Sequence, residues 1–75
     1  MNFEIKSREI TEENIHIVTV EIEPKDQIIF CYVLESWEGV FNYTTIDKKR
    51  NLLSIKIAGD FSEEAEEVLN FLKRY

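Results

Sequence analysis

The sequence predicts an α+β sandwich, with two helices on one face of a small antiparallel sheet, and three observations predict it. Apolar residues alternate with polar ones in "IHIVTVEIE" (Ile15–Glu23) and again in "LLSIKIAG" (Leu52–Gly59), the period of a half-buried strand. Two other stretches, "QIIFCYVLESWEG" (Gln27–Gly39) and "DFSEEAEEVLNFLKRY" (Asp60–Tyr75), read as helices. Pro24 and Gly39 punctuate the chain where a helix begins and ends.

The elements follow in order. "NFEIKSREI" is expected to be a first strand, with Phe3 and Ile5 on one side and Glu4, Lys6 and Arg8 on the other. "TEEN" (Thr11–Asn14) is a polar turn. The next strand puts Val18, Val20 and Ile22 on one face and Ile17, Thr19 and Glu21 on the other. Pro24 opens a helix where its missing N–H costs nothing, and Asp26 in the first turn suits the helix dipole. That helix is expected to run to Glu38 and stop at Gly39, the left-handed residue beyond a helix end.

"VFNYTTID" then reads as a strand, "KKRN" (Lys48–Asn51) as a hairpin tip with Asn51 at positive φ, and Leu53, Ile55 and Ile57 as the buried side of the returning strand. In the last helix Asp60 and Glu63 have capping-box spacing, and Ser62 is an equally good N-cap. Phe61, Ala65, Val68, Leu69, Leu72 and Tyr75 make its apolar stripe. Glu63, Glu64, Glu66 and Glu67 at the start and Lys73 and Arg74 at the end both suit the dipole, and the acidic run reads as a solvated face.

The order strand, strand, helix, strand, strand, helix is that of a ferredoxin-like split β-α-β-β-α sandwich over residues 1–75 as a single domain. Its antiparallel four-stranded sheet takes the N-terminal strand as an added edge, beside "IHIVTVEIE", where a final strand would otherwise lie. That placement covers an edge open to aggregation.

With 44% apolar residues the chain folds, but 75 residues bury a small core. At about 25 cal/mol per Å² of buried apolar area against about 1.5 kcal/mol per ordered residue, the balance for such a chain falls near zero. Disulfides, metals or oligomerisation usually supplement it. One cysteine, Cys31, excludes an internal disulfide. Charges stand where a secretory signal needs an apolar core, so a cytoplasmic protein with a reduced thiol is expected. The run "IIFCYVL" is too short to span a bilayer. A net charge of −6 disfavours nucleic acid and anionic membranes as partners.

The helix at Gln27–Gly39 is apolar on more than one side. Ile29, Phe30, Val33, Leu34 and Trp37 form the expected sheet-facing arc, whereas Ile28, Cys31 and Tyr32 lie on the other side, interrupted by Glu35. Packing by the second helix explains part of this surplus, and a subunit interface explains it more fully. The open sheet face, expected to carry Phe41, Tyr43, Ile17 and Thr19, is a rival patch. A homodimer through one of these surfaces is the expected assembly.

Groups that carry chemistry are sparse. Cys31 sits among apolar neighbours in mid-helix, where burial makes a thiol inert. His16 is the single histidine, at a strand end. Glu35 and Glu38 lie in the last helical turn with Trp37 and Gly39, an unfavourable place for carboxylates; they form either a small cation or amine site or an exposed helix end. A metal or catalytic site would have to combine Glu35 and Glu38 with Cys31 or His16, and no cofactor is implied. Lys48, Lys49 and Arg50 form a basic tip without aromatic RNA-binding motifs, and with only Gly39 and Gly59 no phosphate-binding loop can form. The reading that results is a non-enzymatic, self-associating regulatory or ligand-binding module, its ligand unspecified. A small enzyme or metal-binding protein and a nucleic-acid binder at Lys48–Arg50 are the alternatives.

The motifs "LESWEG" (Leu34–Gly39) and "TTID" (Thr44–Asp47), within Pro24–Leu72, resemble those of a group of small bacterial domains of unknown function, family 4911. Trp37 stands where tyrosine is common and Asn51 where glycine is common; each keeps the local physics. The resemblance implies a stand-alone bacterial domain and supplies no activity. The layout is also similar to ACT-type regulatory domains, which dimerise and bind amino acids beside a glycine-containing loop. The corresponding loop here, "EIEPKDQ", has no glycine, and that ligand site is not implied.

Overall fold

The structure, a computed structural model, describes residues 1–37 and 39–75. Strands β1 (Phe3–Ile10), β2 (Ile15–Ile22), β3 (Phe41–Asp47) and β4 (Leu52–Ala58) form one antiparallel sheet in the order β1-β2-β4-β3. Helix α1 (Pro24–Glu35) links β2 to β3, and α2 (Ser62–Arg74) follows β4. This is the expected ferredoxin-like α+β layout, and β1 fills the added edge beside β2.

The alternation in β2 and β4 fixes which side is dry. Val18 pairs with Ile55 and Val20 with Leu53, so these side chains share one face. Phe30 and Leu34 of α1 and Ala65, Val68, Leu69 and Leu72 of α2 pack on that face and complete a single core. Phe3 joins it from β1, with its ring 5.1 Å from that of Phe30 in an edge-to-face contact.

Four local expectations are corrected. The bulge between Ile5 and Ser7 reverses the phase of β1. Arg8 therefore pairs with Val18 and turns to the helix side instead of staying with Glu4 and Lys6. Helix α1 ends at Glu35, not Glu38, because the Ser36 hydroxyl donates to the Val33 carbonyl at 2.6 Å and the Ser36 amide is shared between the carbonyls of Tyr32 and Val33. Gly39 does adopt the positive φ expected of it, at 81°. The capping box is absent, since a 3-10 turn over Gly59–Phe61 runs directly into α2. Ser62 therefore has helical backbone angles rather than the extended ones of an N-cap. Finally, Phe41 pairs with Ile57 and Tyr43 with Ile55, which places both on the helix side of the sheet and leaves Ile17 and Thr19 on the open face without them.

The turns follow side-chain chemistry. Asp47 accepts the backbone N–H groups of Lys49 and Arg50 at 3.0 and 3.2 Å, which sets the hairpin tip, and Asn51 takes φ of 57° as expected. Gly59 passes directly against Asn14, donating to its carbonyl at 2.8 Å; a Cβ at position 59 would stand 2.6 Å from that oxygen.

Candidate functional site

Helix α1 carries the candidate surface, and its two-sidedness is real. Phe30 and Leu34 are buried one turn apart against the sheet. At about 100° per residue the direction opposite them is that of Ile28 and Tyr32. Those side chains are 81% and 71% exposed. Cys31 lies on the flank between, half-buried against the core. Of the expected sheet-facing arc, Val33 packs on the core but Ile29 and Trp37 remain 47% and 44% exposed. The reason is that α2 does not close over α1. A cavity of about 390 Å³ opens between the helices, lined by Val33 and Trp37 on one side and Glu64, Glu67, Val68 and Phe71 on the other. Seven of the nine large apolar side chains exposed among the described residues belong to the helix layer or its ends: Ile28, Ile29, Tyr32, Trp37, Phe61, Phe71 and Tyr75.

The flank of α1 nearest β3 holds a polar link. The Tyr43 hydroxyl donates to the carboxylate of Glu35, and Cys31 lies on the same flank of the helix. The bond to Glu35 is the main reason that the phenol is held well above its ordinary range, with burial second. Burial raises the Cys31 thiol, partly opposed by Tyr43 and reinforced by the negative charge of Glu35. The site thus stabilises the neutral forms of both groups, which is the reverse of nucleophile activation.

His16 lies elsewhere. It lines a cavity of about 570 Å³ between β1, β2 and α2, beside Arg8, Ser62, Glu63 and Glu66. Arg8 is paired there with the Glu66 carboxylate. Cys31 faces β3, at the opposite edge of the sheet from β1, so the structure does not bring His16 and Cys31 together. Among the described residues no three His, Cys, Asp or Glu side chains lie close enough to hold a metal ion. Glu38 lies outside the described residues, so the expected Glu35–Glu38 pair is represented by Glu35 alone. Trp37 forms a wall of the interhelical cavity, and Gly39 sits in the exposed turn before β3. Lys48, Lys49 and Arg50 are exposed at the tip of the β3–β4 hairpin, at the opposite end of β3 from Gly39.

Sequence reasoning missed the Arg8–Glu66 and Tyr43–Glu35 links. Each depends on strand phase, the first on a bulge and the second on which face β3 presents; neither can be read from residue spacing alone.

No helix among the described residues is long and apolar enough to cross a membrane. Comparison with curated proteins finds no match, and comparison with solved structures finds none. A family model does match: residues 20–75, from the second half of β2 to the last residue, fit the one described as domain of unknown function (DUF4911), and the chain belongs to that family.

Proposed function

We propose that this protein is a non-enzymatic binding module of regulatory type, cytoplasmic, that works as a homodimer closed over the exposed side of α1. The observation that carries the reading is the outward pair Ile28 and Tyr32, one turn apart and nearly uncovered on a helix whose opposite side is fully buried. Burying a side chain of this size is worth about 1.5–3 kcal/mol, and a 75-residue core has little stability of its own to spare. The neutral thiol and phenol beside Glu35 support a structural role for that flank rather than a catalytic one. The unpaired Cys31 is in keeping with a reducing compartment.

Light scattering coupled to gel filtration at micromolar concentration tests the reading. The expected mass is twice that of the 8.9 kDa chain. A strictly monomeric peak across that range contradicts it.

A further inference from the structure

The gap that α2 leaves beside α1 has an apolar interior and an acidic rim. Val33 and the buried Val68 line its inner side, with Trp37 on the α1 side and Phe71 on the α2 side. Both aromatic walls are held. The Trp37 amide donates to the Leu34 carbonyl at 3.2 Å, and the Trp37 carbonyl accepts from the Val40 amide at 3.1 Å. Phe71 packs edge-on against Tyr75, with 6.1 Å between ring centroids. At about 390 Å³ the space falls at the small end of ligand pockets, which run from about 300 to 1,000 Å³.

The rim selects the occupant. Glu64 and Glu67 line it, three residues apart on α2, and both are exposed. Like charges that are neighbours on one helix face repel. The dipole of α2 favours Glu64 in the first turn, but its influence has faded by Glu67. Among the described residues no cation pairs with either carboxylate. Lys6 is taken by Glu4 and Glu21, Arg8 by Glu66 and Lys25 by Glu23. Lys73 lies over the Phe3 ring, 5.3 Å from its centroid. With Arg74 it borders a separate hollow that Glu67 also reaches, without forming an ion pair there.

We infer that the interhelical cleft binds a small organic cation, a primary ammonium carried on an apolar body. The body fills the space between Trp37 and Phe71, where burial of apolar surface supplies the affinity. The ammonium head lies at the rim, donates to the carboxylates of Glu64 and Glu67, and gains from the negative face of the Trp37 ring. A neutral ligand of the same shape leaves the two carboxylates facing each other, and an anionic one adds a third negative charge. This supplies a ligand class for the binding module proposed above and does not depend on its self-association.

Titration of the wild-type protein with phenethylammonium, read by the fluorescence of Trp37, tests the inference, since Trp37 is the single tryptophan of the chain. Phenethyl alcohol and hydrocinnamate are the neutral and anionic controls. Circular dichroism checks that Glu64→Gln/Glu67→Gln and Phe71→Ala are folded. The expected result is a saturable change with phenethylammonium at low salt and none with hydrocinnamate. Binding should be at least tenfold weaker for phenethyl alcohol, for the double variant and for Phe71→Ala. No saturable change with phenethylammonium overturns the site. Equal binding of the three compounds, or a double variant that binds phenethylammonium as tightly as the wild-type chain, overturns the assignment to a cation. Light scattering reads self-association separately, so that proposal stands or falls on its own measurement.

Discussion

Tyr43 in β3 donates its hydroxyl to Glu35 at the last residue of α1, and this one bond accounts for a carboxylate that the helix dipole alone disfavours. The bond is open to Tyr43 because the pairing of β3 with β4 turns that residue toward the helices. The strand and the helix end hold each other in place, on the flank where Cys31 is half-buried.

Tyr43→Phe is expected to lower stability by about 1 kcal/mol, near the lower end for a hydrogen bond to a charged group because the pair is exposed to solvent. The pH dependence has a definite sign. The folded phenol ionises later than an unfolded one, so its contribution is complete below pH of about 10 and declines as the pH rises toward the folded value. Denaturant unfolding from pH 7 upward should show the wild-type advantage over Tyr43→Phe shrinking only above pH of about 10. An advantage that changes between neutrality and that point contradicts the assignment.

The Cys31 thiol, raised by burial, should react slowly with a disulfide reagent at neutral pH in the native protein and far faster in denaturant. Labelling at the same rate in both conditions would contradict the shielding, and labelling faster in the native protein would show an activated thiol.

Gly59→Ala should destabilise the fold by roughly 1–3 kcal/mol, the usual range for overpacking, because its Cβ would meet the backbone oxygen of Asn14 as well as that side chain. Gly39→Ala meets no neighbour within 4 Å and should lose only the cost of a left-handed backbone, about 1–2 kcal/mol. Thermal unfolding of the two variants measures both. An unaffected Gly59→Ala protein would mean that the β1–β2 turn and the start of α2 are not held together as described.

Much of the fold was legible because burial imposes a period. Val18, Val20 and Ile22, and Leu53, Ile55 and Ile57, are all buried where the alternation put them, and the strand order followed from the element sequence. Pro24, Gly39 and Asn51 took the backbone conformations that their chemistry favours. What was not legible depended on phase and competition. A bulge at Lys6 turned Arg8 to the opposite face, a serine hydroxyl ended α1 three residues early, and the pairing of β3 with β4 decided the side on which Phe41 and Tyr43 lie. The candidate surface was legible in part. The excess of apolar residues on α1 marked Ile28 and Tyr32, both exposed, but gave no sign that α2 would stand off and leave Trp37 and Ile29 half-covered.

Sedimentation equilibrium of the Ile28→Ser/Tyr32→Ser double variant tests the association claim most directly. Both side chains lie outside the core, so the monomer fold and its far-ultraviolet dichroism should be unchanged. With about 1.5–3 kcal/mol attached to each buried side chain, the dissociation constant should rise at least a hundredfold. A double variant that associates as tightly as the wild-type chain would contradict the account.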